Sequence, residues 1–269
     1  MATETADPSS QRVALVTGAA RGIGAATARR LAADGLAVVA VDRCEDDPTL
    51  GYPLGTRGEL DAVVAECGPD AVAVIADVRD SESLEEATAV AVDRFGGLDV
   101  AVAAAGVMAG GKVAWKLDDD AWNANIDVNL TGVWRTAAAT IPAMLQRPKP
   151  RSGRFVAVAS AAGMGGHPTI GAYCAAKHGV IGLIRSLAAE LGPLGVTANS
   201  VCPGSTRTGI LEASAALYGL DDLESFAVHH AIPRLLEPEE IASAISWLCA
   251  EEQSGVTGIA LPVDTGMTI

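Results

Sequence analysis

Tyr173 and Lys177 lie four residues apart in the segment Tyr-Cys-Ala-Ala-Lys, a spacing that brings both side chains to one face of a helix. A free phenol has a pKa near 10 and is a poor base at neutral pH. A neighbouring ammonium group favours the phenolate and lowers that pKa. The pair therefore predicts a general acid/base that takes a proton from an alcohol or gives one to a carbonyl. The alternative is a chance pair on the surface.

Ser160 ends the apolar segment Arg154–Ser160, 13 residues before Tyr173. The carboxyl ends of parallel strands face the ligand crevice of an α/β sheet, so we expect the Ser160 hydroxyl to hold a substrate oxygen against Tyr173. A hydrolase nucleophile is the competing interpretation. The segment Val158–Ala162 lacks the Gly-x-Ser-x-Gly motif of such nucleophiles, which disfavours it.

A glycine-rich turn, Thr17–Gly24 (TGAARGIG), follows the first apolar segment and opens a helical pattern. Its glycines allow backbone N–H groups to approach a pyrophosphate, and the helix that follows adds a favourable dipole. We therefore expect a dinucleotide to bind here, although a tight turn without a ligand has the same composition. The turn residues expected to contact the cofactor are Gly18, Arg21, Gly22, Ile23 and Gly24.

Asp42 closes the second apolar segment, 18 residues after Gly24. A carboxylate at this point binds the ribose hydroxyls of NAD and repels the 2′-phosphate of NADP. Arg43 offers a cation to NADP, but the repulsion by the carboxylate remains, so NAD is favoured and NADP is disfavoured. A solvated turn residue is the alternative for Asp42. Asp77 and Val78 are expected to flank the adenine, and helix capping is the alternative for Asp77.

Strand-like and helix-like segments alternate along the whole chain. The predicted strands are Arg12–Thr17, Leu36–Asp42, Ala71–Asp77, Leu98–Ala105, Arg154–Ser160, Val196–Cys202 and Ile259–Val263. The predicted helices are Gly22–Asp34, Thr56–Cys67, Ser81–Phe95, Asp118–Leu145, Gly171–Leu191 and Pro238–Cys249. This alternation predicts an α/β fold with a parallel sheet of about seven strands and helices on both faces, in a single domain over residues 11–269.

Composition excludes several classes of function. The formal net charge of −14 argues against nucleic acid and anionic membranes as partners. The five cysteines lack a Cys-x-x-Cys spacing, which argues against a disulfide framework and a metal site. The polar N-terminus lacks the apolar region of a signal peptide. We therefore expect a cytoplasmic protein with a disordered tail over residues 1–10.

The glycine-rich turn, Asn129, Ser160, Tyr173, Lys177 and Pro203-Gly204 together resemble the short-chain dehydrogenase/reductase family, from about Arg12 to Gly266. The resemblance implies a Rossmann-type doubly wound sheet and NAD-dependent hydride transfer between a secondary alcohol and a ketone. It implies that Tyr173 is the acid/base and that Ser160 orients the substrate oxygen. Lys177 would bind the nicotinamide ribose and depress the tyrosine pKa, and Asn129 would hold a water in the proton relay. The other cofactor contacts that it implies are Ala105, Gly106, Pro203, Gly204, Thr206 and Thr208.

The sequence departs from the family at Ala103-Ala104-Ala105-Gly106, where Asn-Asn-Ala-Gly is usual. Those amides brace the sheet, so their loss predicts weaker bracing, while Gly106 still allows close approach of the cofactor. The insertion Asp42–Leu60 is similar to the Tyr-Pro-Leu insertion of the mycofactocin-associated, carveol-dehydrogenase-like subfamily. This implies that residues 43–58 cover the bound NAD, which is then retained and recycled by an external redox carrier. A surface excursion without effect on exchange is the alternative.

Residues 205–237 follow neither a strand nor a helix pattern and are expected to form the substrate lid. The apolar side chains that are candidates for the substrate pocket are Met108, Trp115, Met164, Leu211, Leu217, Tyr218, Leu220 and Phe226. They predict a small apolar alcohol or ketone as substrate, although each is equally compatible with the core or with a subunit contact. His167, His229 and His230 are interpreted as ordinary loop or lid residues. The family resemblance implies a homotetramer built on the helices Asp118–Leu145 and Gly171–Leu191.

Two other functions remain open at this point. An NADPH-dependent 3-oxoacyl-type reductase is disfavoured by Asp42. A non-catalytic dinucleotide-binding sensor is disfavoured by the presence of the complete set of Asn129, Ser160, Tyr173 and Lys177.

Overall fold

Strands and helices alternate in the computed structural model, which describes residues 11–269; the predicted tail at residues 1–10 lies outside the described residues. The strands are β1 Val13–Thr17, β2 Ala37–Asp42, β3 Ala71–Ile75, β4 Val100–Ala103, β5 Gly153–Val158, β6 Val196–Pro203 and β7 Ala260–Val263. The helices are α1 Gly22–Ala33, α2 Arg57–Cys67, α3 Ser81–Phe95, α4 Asp119–Ile126, α5 Gly132–Gln146, α6 Gly171–Leu191, α7 Gly209–Tyr218 and α8 Pro238–Cys249.

The strands of residues 11–269 form one parallel sheet in the order β3-β2-β1-β4-β5-β6-β7. Every side chain of β1, β4, β5 and β6 is buried, which explains why these segments are almost continuously apolar. The strand order reverses between β1 and β4, and ligands bind at such a reversal in open α/β sheets. The predicted doubly wound α/β fold is confirmed.

Two hydrophobic cores lie on opposite faces of the sheet. In β1, Leu15 faces the core that contains α3, α5 and α6, while Val16 faces the core that contains α1, α2 and α8. This alternation is the two-residue period of a strand, with both faces covered by helices. Within residues 11–269, no helix combines the length and the apolar character needed to span a bilayer.

The predicted helix Asp118–Leu145 is helical from Asp119 to Gln146, but it is not α-helical throughout. A π-helical segment, Asp127–Thr131, separates α4 from α5. Just before it, the side-chain amide of Asn125 donates to the Ala121 carbonyl at 2.7 Å, a side-chain contact of the kind that competes with helix backbone bonds. Such segments are frequent at functional sites.

The predicted lid contains regular structure that the sequence pattern did not indicate. Helix α7 and a 3₁₀-helix, Leu223–His229, both lie within residues 205–237. The α7 sequence GILEASAALY carries small or apolar residues on almost all sides. It therefore has no polar stripe, and a helix without a polar stripe gives no periodic signal.

The ends of β1 and β4 are joined by the Thr17 side chain. Its hydroxyl oxygen accepts hydrogen bonds from the backbone N–H groups of Ala104, at 3.1 Å, and of Ala105, at 3.3 Å. Both hydrogen bonds are partly buried, so water competes only weakly for these donors. The missing Asn-Asn pair predicts weaker bracing of the strand ends. The Thr17 hydroxyl supplies a brace at this position.

We expect Thr17→Val to lower the free energy of unfolding by about 1–3 kcal/mol, because two partly buried N–H groups lose their acceptor while the side-chain shape is kept. Chemical denaturation measures this change. Thr136→Val is the matched control, since Thr136 is also fully buried but its hydroxyl bonds within α5, to the Gly132 carbonyl. An equal loss of stability in both variants would argue against a bracing role for Thr17.

Candidate active site

A cavity of about 850 Å³ lies at the carboxyl ends of the strands, beside the reversal between β1 and β4. Ser160, Tyr173 and Lys177 are in its wall together with the glycine-rich turn. The wall also contains the other predicted cofactor residues: Gly18, Arg21, Gly22, Ile23, Gly24, Asp42, Arg43, Asp77, Val78, Ala105, Gly106, Pro203, Gly204, Thr206 and Thr208. Of the predicted site residues, Asn129 is the exception within residues 11–269, because it lies behind the wall.

Tyr173 and Lys177 occupy successive turns of α6, so the four-residue spacing brings them to one side of the helix. The Lys177 ammonium lies 5.6 Å from the centre of the Tyr173 ring and donates to the Val158 carbonyl at 2.8 Å. Ser160 follows β5, and its hydroxyl accepts from the Ala162 N–H at 3.1 Å. The end of β5 thus holds both the serine and the lysine.

Burial controls the protonation of the two titratable groups of this cluster. It raises the pKa of Tyr173 to about 12, although a hydrogen bond from Ser160 opposes the increase. It also lowers the pKa of Lys177 to about 8. In the protein by itself this direction is opposite to the one that Lys177 alone would give, because the loss of hydration of a buried phenolate is the largest effect on this group. The protein by itself therefore favours a neutral, proton-donating Tyr173.

Asn129 clamps the segment that follows β4. Its side-chain oxygen accepts from the Val107 N–H, and its side-chain nitrogen donates to the Val107 carbonyl, both at 2.9 Å. Asn125, one turn earlier, donates to the Ala109 carbonyl at 2.8 Å. Asn129 therefore shapes the cavity from behind, in addition to the relay role that the family resemblance implies for it.

The glycine-rich turn has the features of a pyrophosphate site. Gly18 has φ +69°, and a Cβ atom there would lie 2.7 Å from the Ala105 Cα. A Cβ atom at Gly24 would lie 2.0 Å from the Gly18 carbonyl oxygen, so no larger residue fits. Helix α1 begins at this turn without a side-chain cap. Its first N–H groups are thus left for an anion.

Asp42 is fixed at the edge of the cavity by backbone donors. One carboxylate oxygen accepts from the Ala20 N–H at 3.0 Å, and the other accepts from the Cys44 N–H at 3.1 Å. Each oxygen has a second lone pair for a ligand hydroxyl. The carboxylate is therefore held in a defined orientation at the position predicted for the adenosine ribose.

An ion-pair cluster borders the same end of the cavity. Asp47 accepts from Arg43 at 2.9 Å and from Arg79 at 2.8 Å, and Arg79 also pairs with Asp77 at 2.7 Å. Burial opposes ionisation of Asp47, but hydrogen bonds from Thr49, Arg43 and Arg79 hold its pKa well below its usual range. The cluster neutralises both guanidinium groups.

The alternative role of Asp77 as a helix cap is wrong. Helix α3 is capped by Asp80, whose carboxylate accepts from the Glu82 N–H at 3.0 Å. Asp77 instead accepts from the backbone N–H and the guanidinium of Arg79. The sequence gives no signal for these partners, since Arg79 follows the third strand in an ordinary turn.

The insertion crosses the cavity as a loop, residues 43–56, which we call the strap; α2 begins directly after it. The Tyr52 hydroxyl accepts from the Met108 N–H at 2.7 Å. Arg21, in the glycine-rich turn, donates to the Pro53 carbonyl. The sequence predicts that this insertion covers the cofactor, but Asp47, Tyr52 and Arg79 are not among the predicted site residues. The Tyr-Pro-Leu motif was the available signal for Tyr52.

The apolar candidates for the substrate pocket divide into two groups. Met108, Leu211, Tyr218, Leu220 and Phe226 lie in the cavity wall. Leu217, Trp115 and Met164 lie outside it, and Trp115 is 82% exposed, which is incompatible with a lining role. His167 and His229 also line the wall. In the described part of the chain, no three His, Cys, Asp or Glu side chains come together as a metal site.

Comparison with known proteins gives a consistent result. Residues 18–268 match a family model described as enoyl-(acyl carrier protein) reductase. The chain is 39% identical to (−)-trans-carveol dehydrogenase of Rhodococcus erythropolis, over 96% of this chain and 98% of the relative. It is 38% identical to a monensin polyketide synthase putative ketoacyl reductase of Streptomyces virginiae, over 96% and 98%. The crystal structure of carveol dehydrogenase from Mycobacterium avium in complex with NAD superposes with a TM-score of 0.90, at 36% identity over 95% and 97% of the two chains.

The lowered pKa of Lys177 predicts a specific dependence of stability on pH. The folded protein binds this proton less tightly than the unfolded chain, so stability increases as the pH rises from about 8 toward the ordinary value of 10.5. Relative to Lys177→Met, the wild type should gain up to about 1.4 kcal/mol per pH unit in this window. Denaturation of both proteins at several pH values measures the difference. A difference that is constant from pH 7 to pH 10 would contradict the lowered pKa.

Proposed function

The chain belongs to the short-chain dehydrogenase/reductase family, and we propose that it interconverts a secondary alcohol and a ketone by hydride transfer with NAD. The observation that carries this proposal is the one cavity shared by the glycine-rich turn, Ser160, Tyr173 and Lys177. The apolar wall at its far end, including Met108, suits a small apolar substrate. The similarity to a dehydrogenase of carveol, a cyclic secondary alcohol, agrees with this substrate class.

The side chains of the cavity have separate roles in the proposed reaction. Ser160 hydrogen-bonds the substrate oxygen and holds it against the Tyr173 hydroxyl. NAD, when bound, accepts the hydride and brings a positive ring that favours the phenolate form of Tyr173. Tyr173 then takes the proton of the alcohol, or gives it back in the reverse direction. Lys177 binds the nicotinamide ribose, and Asn129 continues the proton relay.

The charges around Asp42 favour NAD over NADP. The carboxylate repels a 2′-phosphate, and its orientation is fixed by two backbone N–H groups. Arg43 and Arg79, the nearby cations, are already paired with Asp47 and Asp77. This neutralisation weakens the alternative of an NADPH-dependent 3-oxoacyl-type reductase, an activity class that the ketoacyl reductase relative represents.

We expect Tyr173→Phe to lower turnover at least about hundredfold while NAD binding is kept, because only the hydroxyl that moves the proton is removed. The rate at which NAD, either bound or added, is reduced by a panel of secondary alcohols that includes carveol measures turnover, and calorimetry measures binding. Turnover close to that of the wild type would contradict the assignment of Tyr173 as the acid/base. A wild-type protein that binds NAD and oxidises no alcohol would instead favour the non-catalytic sensor.

The strap supports a further part of the proposal, that NAD is retained between turnovers. Leu50, Tyr52 and Leu54 line the cavity on the strap side. The strap is tied to the glycine-rich turn through Arg21, to the segment after β4 through Tyr52, and to the strand ends through Asp47. NAD release requires these contacts to break together, which slows dissociation. An external redox carrier of the mycofactocin type would then reoxidise the bound cofactor.

Denaturation of the purified protein should release about one NAD per chain. Asp47→Ala should speed NAD release at least about tenfold, because Arg43 and Arg79 lose the carboxylate that joins the strap to the strand ends. Mass spectrometry and stopped-flow fluorescence give the two readouts. Asp61→Ala is the matched control, since it breaks an exposed ion pair with Arg57 on α2 and leaves the strap intact. Protein that purifies without NAD would reject retention.

The proposed assembly is a homotetramer. Trp122 on α4 and Trp134 on α5 expose 45% and 53% of their surface, and large exposed apolar side chains are typical of subunit interfaces. The substrate lid at residues 205–237 closes the far end of the cavity in this proposal. Each of the five cysteines is free, which fits the reducing environment of the cytoplasm as the proposed location.

A further inference from the structure

We infer that Tyr52 is a positioning residue that couples closure of the strap over the dinucleotide to the shape of the substrate pocket. This inference rests on the proposed function and deepens it, because it assigns regulation of the substrate pocket to one side chain of the insertion. The contact that joins the two regions is the hydrogen bond from the Met108 N–H to the Tyr52 hydroxyl, at 2.7 Å.

The segment 107–109 is held by two different parts of the protein. The Val107 N–H donates to Asn129 at 2.9 Å, and the Ala109 carbonyl accepts from Asn125 at 2.8 Å. Both asparagines belong to the interrupted helix. The Met108 N–H, between them, is held from the opposite side by the strap. The position of this segment therefore depends on whether the strap is closed.

The Met108 side chain forms part of the wall around the proposed acid/base. It is 5% exposed and packs in one apolar cluster with Ile170 and Tyr173. Ile210 and Leu217, from the start and the end of α7, pack against the same cluster. A shift of the Met108 backbone would therefore move a side chain that packs against both Tyr173 and α7.

Tyr52 acts in this arrangement as a hydrogen-bonding group and not as a second base. Its side chain lies in the cavity wall, and burial raises its pKa, so the hydroxyl keeps its proton at neutral pH. The hydrogen bond between Met108 and Tyr52, which we call the latch, therefore depends on the Tyr52 hydroxyl oxygen. Phenylalanine at this position would keep the ring packing and remove only the contact with Met108.

Opening of the strap leaves the Met108 N–H of a buried segment without its acceptor. A closed strap and a formed substrate pocket consequently stabilise one another, and such coupling is reciprocal. Bound NAD, by holding the strap closed, favours substrate binding. Substrate, by packing against Met108, slows release of NAD.

The test compares wild-type holoenzyme with Tyr52→Phe, with carveol as the probe. We expect the KM for carveol to rise about tenfold in the variant while kcat stays within about twofold, since loss of one buried hydrogen bond has this size. Carveol should slow NAD release from the wild type and should no longer slow it from the variant. Amide hydrogen exchange over residues 107–109 should become faster, and in the wild type alone NAD should protect these amides.

Thr140→Val is the control, because Thr140 is buried outside the cavity wall and its hydroxyl donates within α5, to the Thr136 carbonyl at 2.6 Å. It should keep the carveol effect on NAD release and the slow exchange at residues 107–109. Unchanged exchange and KM in Tyr52→Phe, or equal losses in both variants, would overturn the inference. A wild type that fails to bind NAD or to oxidise alcohols would reject the proposed function instead, and the exchange at residues 107–109 still decides the latch.

Discussion

The opposite directions taken by the chain after β1 and after β4 are the constraint on which the site depends. Helix α1 packs on one face of the sheet and α5 on the other, so a crevice opens between two strands that are neighbours. Backbone N–H groups of the segment that follows β4 lie at this crevice. Thr17 accepts hydrogen bonds from two of them and holds the strand ends together. The uncapped end of α1 lies beside this point, in the cavity wall.

Desolvation gives this crevice its chemical character. Burial favours a neutral Tyr173 and lowers the pKa of Lys177, so each of the two groups that would carry the proton resists a charge. In the proposed mechanism, the positively charged ring of bound NAD would favour the phenolate and oppose this effect. At the other end, the ion pairs of Asp47 and Asp77 remove the free positive charge of two arginines. In the proposed function, desolvation thus governs proton transfer at one end of the cavity, and ion pairing favours NAD over NADP at the other.

The errors of the sequence-based interpretation share one cause, which is that contacts between distant segments have no local signal. Helix α7, which lies within the lid, has no polar stripe because its residues are almost all small or apolar. The π-helical segment arises where Asn125 bonds both its own helix and the segment after β4. The rise in the pKa of Tyr173 in the protein by itself comes from burial, which the sequence does not show, whereas its neighbour Lys177 is visible there.

The sequence by itself determined the order of strands and helices, the glycine-rich turn and the spacing of Tyr173 and Lys177. These features rest on local rules: period two in buried strands, the small size of glycine, and the repeat of a helix. Only the tertiary structure decided which groups are charged and which segments touch. It brought Ser160 and Lys177 to the end of one strand, Arg43 to Asp47 and Asp77, and Tyr52 to Met108. Burial and pairing depend on the whole fold, so no short segment encodes them.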